Sequence, residues 1–255
     1  LHTHSTKSDG SYTPTELIDY AVEKGLVAIA LTDHDTTAGL DEAISHAAML
    51  SKQGKPSVEV IPGIEFSSEY QGKDIHIVGL FISYDSPAFQ KKLHSFVDSR
   101  IERNHKMCRN LQEAGIDISY EKLLDAFPGA VITRGHYATY LVEHGYTASR
   151  ADAFSKYLGD HTKYFVPREK ATAAEAVRLI REAGGVPILA HAPLYHMGHD
   201  ALDTLVCTLK ENGLMGIEAV YSTYSNQDQR DMLRLADKYD LLLSGGSDFH
   251  GTNKP

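Results

Sequence analysis

Apolar runs that end abruptly in polar residues alternate along this chain with segments of helical period, and that rhythm predicts its elements. Thr13, Pro14 and Glu16 spell a capping box with proline at the first helical position, and Gly25 closes the helix they start. LVAIALTDHD follows, a continuous apolar run of the kind that forms a fully buried parallel strand. A second helix is expected over about residues 39–53. VEVIPGIEFS and DIHIVGLF then read as two strands, the first bulged at Pro62.

From Ser86 the rhythm changes. Ser86 and Pro87 start a long helix reaching toward Gly115, and helical stretches continue to about Lys163 with little strand character. The alternation then resumes: a helix near residues 171–183, strand VPILAHA, a helix before Gly213, strand MGIEAVYS, a helix near residues 227–239, and LLLSGGSDFH. Strands alternating with helices imply a parallel sheet, and this many units favour closure into a barrel. The expected organisation is one α/β barrel made of residues 1–84 and 165–255, with residues 85–164 inserted as a helical cap rich in Arg, Lys and His.

Composition narrows the function. The chain has 255 residues and 42% hydrophobic content, enough for a large single core. Its formal charge of -9 leaves no global basic field for long nucleic acid, so a polyanionic substrate has to be held locally by metals or a few cations. Cys108 and Cys207 offer no disulfide framework and suit a reducing compartment. The apolar runs are far shorter than a membrane span and no signal-peptide pattern is present, so a cytoplasmic location is expected. Leu1 already sits inside what reads as a strand, and the chain stops shortly after a motif, so residues missing at both ends are expected.

Candidate chemistry lies in the polar residues that end the strands. In LHTHSTKSDG, His2 and His4 are two apart and face one side of an extended strand. His34 follows LVAIALTD, Glu65 follows VIPGI, His191 follows VPILA, and Asp248 with His250 follow LLLSGGS; in a barrel such ends converge on one rim. His76 lies between isoleucines, where an unpaired imidazole is expensive to bury. Singly, His76 or His191 could be a hydrogen-bonded core histidine. With Asp9, the set His2, His4, Asp9, His34, Glu65, His76, His191, Asp248 and His250 exceeds the needs of one ion. Imidazole and carboxylate without thiolate suit Mn²⁺, Zn²⁺ or Fe²⁺. Three divalent ions carry about +6 against roughly -3 from the carboxylates, a balance that favours a phosphoester substrate. His46, His94, His105, His144, His161, His196 and His199 lack this placement and read as surface or helix residues.

LHTHSTKSDG, TDHD, PGIEFS, AHA and SDFHG, in this order, resemble the motifs of the PHP (polymerase and histidinol phosphatase) family of metal-dependent phosphoesterases. The resemblance implies a distorted (β/α)7 TIM-like barrel with two or three divalent ions, Mn²⁺ first among the candidates. It also implies a ligand partition: His2, His4, Glu65 and Asp248 on one ion; Asp9, His34 and His250 on a second; Glu65, His76 and His191 on a third. One departure is that Ala192 stands between His191 and Pro193, where the family commonly has proline directly. The insertion resembles that of the TrpH-like subgroup, which includes 3′,5′-nucleotide bisphosphate phosphatases and RNase AM-like 5′-to-3′ exoribonucleases. TRGHYA and KYFVP match its phosphate-binding segments, implying Arg134, His136 and Lys163 as substrate-phosphate residues. A guanidinium suits that role because it forks onto phosphate oxygens.

The expected activity is hydrolysis of a nucleotide phosphomonoester, a 3′,5′-bisphosphate giving the 5′-monophosphate and phosphate, with short 5′-phosphorylated RNA as a further substrate. Histidinol phosphate or another small-molecule phosphate ester is the alternative, although an aminoalcohol calls for an anionic subsite rather than an arginine. An alternative of another class is a non-catalytic, metal-stabilised binding domain. No membrane partner is expected, and oligomeric state is left open.

Overall fold

The computed structural model describes residues 1–167 and 171–254. Residues 168–170 and 255, which the expected second barrel segment includes, lie outside the described residues. Six strands form one sheet in sequence order: β1 (Ala28–Leu31), β2 (Glu59–Tyr70), β3 (Lys73–Leu80), β4 (Val186–Leu189), β5 (Gly216–Tyr221) and β6 (Leu242–Gly246). Around it lie α1 (Pro14–Glu23), α2 (Leu40–Lys52), α7 (Ala173–Glu182), α8 (His199–Glu211) and α9 (Asn226–Lys238). Between β3 and β4 come α3 (Pro87–Glu113), α4 (Tyr120–Ala126), α5 (Arg134–Glu143) and α6 (Arg150–Ala153), the last running into a π-helical turn at Phe154–Leu158.

Local chemistry sets the helix ends. The Thr13 side chain accepts from the Glu16 backbone N–H and the Glu16 carboxylate accepts in return from the Thr13 N–H, with Pro14 at the first position. Thr172 with Glu175 and Ser225 with Asp228 repeat the device at α7 and α9.

The sheet is mixed, which corrects the all-parallel expectation. β2 runs parallel to β1, but β3 is antiparallel to both β2 and β4. The cause is the two-residue connection Gln71–Gly72, both at positive φ (51° and 79°), between the paired Tyr70 and Lys73. Such a turn can only make a hairpin. The register shift falls in β5, between Glu218 and Val220, and not at Pro62.

The curled sheet is a half-barrel rather than a continuous ring. Thr3 makes single parallel bridges to Leu31 of β1 and to Phe249 beyond β6. Strand alternation divides the core: Ile64, Phe66, Ile75, Ile77, Leu189 and Ile217 pack with α7, α8 and α9, whereas Ala30, Ile61, Val78, Leu80, Ile188 and Ala190 form a small inner cluster. The segment from α3 to α6 carries a separate apolar cluster that includes Met107, Leu111, Ile118, Leu123, Tyr137 and Leu141.

Buried polar residues tie the first loop to β1. Asp33 accepts from the Ser5 backbone N–H (2.7 Å), the Ser5 hydroxyl (2.7 Å) and the Ser8 hydroxyl (2.6 Å). Asp33→Ala would strand those buried donors, and unmet buried polar groups cost about 1–3 kcal/mol each. The expected loss is at least about 3 kcal/mol, read as a lower urea midpoint at unchanged m-value; a midpoint equal to wild type would show that the loop does not depend on this carboxylate.

Candidate metal centre

Strand alternation decides which side chains reach the concave face. In β2, Ile64 and Phe66 pack toward the helices, so Glu65 between them faces inward. In β3 the pair Ile75 and Ile77 does the same for His76, and in β5 Ile217 and Ala219 do so for Glu218. Because β3 is reversed, its first half shares a rim with the far half of β2, where His76 pairs with Ser67. Glu65 therefore lies within β2 rather than after it. His34 follows β1 and bridges to Glu65, while His191 and Asp248 follow β4 and β6 at φ 26° and 50°. Left-handed backbone at non-glycine residues costs of order 1–3 kcal/mol each and persists where surrounding structure enforces it.

All nine rim residues named from the sequence come together. Glu65 is completely buried at the centre: Oε1 lies 2.9 Å from His76 Nδ1 and 3.1 Å from His191 Nε2. Oε2 lies 3.3 Å from His2 Nε2, 3.3 Å from His4 Nε2 and 3.0 Å from His34 Nδ1. Asp248 Oδ1 stands 3.3 Å from His2 Nε2 and 3.0 Å from His4 Nε2. Asp9 Oδ1 stands 3.2 Å from His250 Nε2 and 3.8 Å from His34 Nε2. The ligand atoms form three overlapping groups, each within 4.8 Å: His2, His4, Glu65 and Asp248; His4, Asp9, His34 and His250; and His34, Glu65 and His76.

The donor set fits divalent metal ions. His2 Nε2, His4 Nε2, His34 Nδ1, Glu65 Oε2 and Asp248 Oδ1 are buried yet make no hydrogen bond, although they crowd together. Lone pairs converging on a common point, out of reach of water, are the arrangement a cation relieves. Hydrogen bonds on the far ring atoms turn the lone pairs inward: His2 Nδ1 donates to Glu218 Oε1 (2.9 Å), and His250 Nδ1 donates to the Asp248 carbonyl (2.8 Å). The Asp248 carboxylate is divided likewise, Oδ2 accepting from the Tyr221 hydroxyl (2.9 Å) and from Lys254.

Electrostatics keep the acids ionised. Burial alone would raise Glu65, but His2, His34 and His76 hold it well below the ordinary carboxylate range. Burial opposes ionisation of Asp9 and Asp248 too. His34 and His250 lower the first and His2 with His4 the second, both well below the usual range. His2 is pulled down by burial and pushed well above its ordinary value by Glu65, Glu218 and Asp248. Burial lowers His76.

The residues expected to take a second phosphate separate. Arg134, at the start of α5, lines a cavity of about 180 Å³ that also reaches Asp9, His34 and His76. Its Nη2 donates to Asp74 Oδ2 at 2.7 Å. His136 is buried and does not line that cavity; Nδ1 accepts from the Thr133 backbone N–H (2.9 Å) and the ring also bonds the Ser8 backbone. Burial pushes it down to about 4, so this imidazole is a neutral structural tie. Lys163 is exposed, its ammonium 5.0 Å from the Tyr164 ring centre, and is not among the lining residues.

Sequence reasoning missed other contributors. Glu218, 1% exposed, carries His2 and also accepts from the His191 backbone N–H (2.7 Å). Arg100 and Arg103, one helical turn apart on α3, line the cavity, and Arg100 is ion-paired with Asp35.

A half-barrel whose concave rim gathers histidines and acids around shared lone pairs, beside a cavity walled by arginines, defines a metal-dependent phosphoric ester hydrolase. The chain belongs to the PHP domain family, which matches residues 1–171. It is 39% identical over 251 residues to a 5′-3′ exoribonuclease of Haemophilus influenzae, covering 98% of this chain and 89% of that protein. It is 36% identical over 258 residues to a 3′,5′-nucleoside bisphosphate phosphatase of Chromobacterium violaceum, covering 98% and 86%. The structure of an amidohydrolase from Chromobacterium violaceum, with bound sulfate and no metal, superposes with a TM-score of 0.91 at 35% identity, covering 99% of this chain and 87% of that one.

Proposed function

We propose that this protein removes a phosphate from nucleoside 3′,5′-bisphosphates and acts on short 5′-phosphorylated RNA at the same rim. The observation that carries this reading is the cavity shared by the ligand cluster and Arg134: one anion can sit against the rim while a second meets a guanidinium. The relatives that act on a nucleoside bisphosphate and on RNA support it.

His2, His4, Glu65 and Asp248 would hold one ion, Asp9, His34 and His250 a second, and Glu65, His76 and His191 a third, with Mn²⁺ first among the candidates and Zn²⁺ or Fe²⁺ chemically allowed. Bound there, such ions supply Lewis-acid stabilisation of phosphoryl charge and make water more acidic. Glu218 fixes the His2 tautomer and Asp33 fixes the loop carrying Asp9. Arg134 orients the substrate through its other phosphate, so binding energy remote from the reacting bond improves alignment at the rim.

Two further readings accompany this one. Thr3, bridged on both sides, marks where a seventh strand would stand in a (β/α)7 barrel, and the separate apolar cluster supports residues 85–164 as an inserted cap. The two free cysteines, Cys108 and Cys207, suit a reducing cytosol. No described helix is long and apolar enough to cross a membrane.

The test is phosphate release, with Mn²⁺, from adenosine 3′,5′-bisphosphate, adenosine monophosphates, 5′-phosphorylated oligoribonucleotides and histidinol phosphate. The bisphosphate should outpace the monophosphates, and Arg134→Ala should lower kcat/KM on it by roughly 10- to 100-fold, the scale of a charge-assisted contact. Equal rates on all substrates, unmoved by Arg134→Ala, exclude the reading.

A further inference from the structure

We infer that Phe154 and Phe165 form a stacking platform for the nucleobase, so that the cavity selects phosphorylated sugars that carry a base over those that do not. The inference rests on the bisphosphate reading for the placement of the two phosphates, and adds the part of the substrate that carries no charge.

The cavity can be followed outward from the rim. His76 is a rim residue, and Asp74, two positions earlier on β3, lies on the same strand face about 6–7 Å away. Asp74 meets the Arg134 guanidinium, whose central carbon lies 5.9 Å from the Phe154 ring centre and 5.4 Å from that of Phe165. A rim for one phosphate, a guanidinium for a second, and aromatic rings beside that guanidinium supply around one cavity the contacts that a nucleoside 3′,5′-bisphosphate calls for.

Phe154 packs in part against the apolar cluster of the helical segment, whereas Phe165 packs against none of the described clusters. Both are half-buried and line the cavity. Phe165 belongs to none of the apolar clusters among the described residues, yet its phenyl ring lines, with Phe154 and Val166, a space whose other walls include Asp9, His34, His76 and arginines. Phe154 opens the π-helical turn at Phe154–Leu158, and such turns recur where a side chain is aimed at a functional site. Stacking on a phenyl ring is available to every base, so the platform discriminates base from no base rather than one base from another.

The experiment reads binding, so its result stands apart from turnover. Calorimetric titration should give adenosine 5′-monophosphate and uridine 5′-monophosphate at least roughly tenfold lower Kd than ribose 5-phosphate, the scale of one stacked base. Phe165→Leu should raise the adenosine monophosphate Kd toward that of ribose 5-phosphate while leaving the ribose 5-phosphate Kd in place, and Phe165→Tyr, which keeps the ring, should retain the preference. Equal Kd values for adenosine monophosphate and ribose 5-phosphate in the unaltered protein overturn the platform whatever the variants do. So does a Phe165→Leu protein that weakens both ligands alike, since the rings would then serve only to position Arg134. Tight, base-dependent binding without bisphosphate hydrolysis would leave the platform standing and sink the activity proposal instead.

Discussion

Replacing Glu65 by Gln should lower kcat/KM at least about a thousandfold, because several kcal/mol of Lewis-acid stabilisation depend on this one side chain and each 1.36 kcal/mol is about tenfold in rate. Oε1 faces His76 and His191, and Oε2 faces His2, His4 and His34. Each oxygen thus takes part in a different set of converging lone pairs. An amide keeps the shape but supplies one acceptor and one donor, and its N–H bonds occupy the point where a cation would sit. The charge is lost as well, and with it the acid that stands among five imidazoles. Mn²⁺ should raise the thermal midpoint of wild type, since a ligand that binds only the folded state stabilises it by mass action. The variant should show little of that rise, and metal analysis should find it depleted. A Glu65→Gln protein that binds metal and turns over normally would remove Glu65 from the centre.

The parts of this molecule visible in its sequence are those governed by local rules. The α1 capping box, the proline-started α3 and the apolar runs of β1 and β4 follow from neighbouring residues, and so does the gathering of His2, His4, Asp248 and His250 at strand ends. The direction of β3 was legible in principle: only Gln71 and Gly72 separate two strands, too short for a crossover. Glu218 was equally within reach, because it stands between Ile217 and Ala219 as His76 stands between Ile75 and Ile77. An acid flanked by residues that face the helices faces the concave rim. Arg100 and Arg103 were hidden for another reason. On a long helix with many charges an arginine pattern looks like a solvated face, and only the tertiary position of α3 turns these two toward the cavity. His136 lies apart from Arg134 because successive helical positions point different ways: two places on, the ring meets Thr133 and Ser8.

Glu218 leads to the second large effect, and to one that differs in kind from the loss of Glu65. Its Oε2 accepts from the His191 backbone N–H (2.7 Å), a donor that cannot change its role. In Glu218→Gln the amide oxygen must therefore face His191, which turns the amide nitrogen toward His2 Nδ1, where Oε1 now accepts at 2.9 Å. His2 can meet that donor only by presenting a lone pair at Nδ1, and the ring proton then moves to Nε2. That is the atom 3.3 Å from both Glu65 Oε2 and Asp248 Oδ1, so the tautomer that suits the substituted amide is the one that cannot ligate. Outer residues of this kind typically govern roughly 10- to 100-fold in metal affinity. The Mn²⁺ concentration for half-maximal activity should rise by about that factor, with kcat largely restored at saturating metal. Glu65→Gln should stay inactive at any metal concentration. An unchanged Mn²⁺ dependence in Glu218→Gln would mean that His2 keeps its tautomer without this carboxylate.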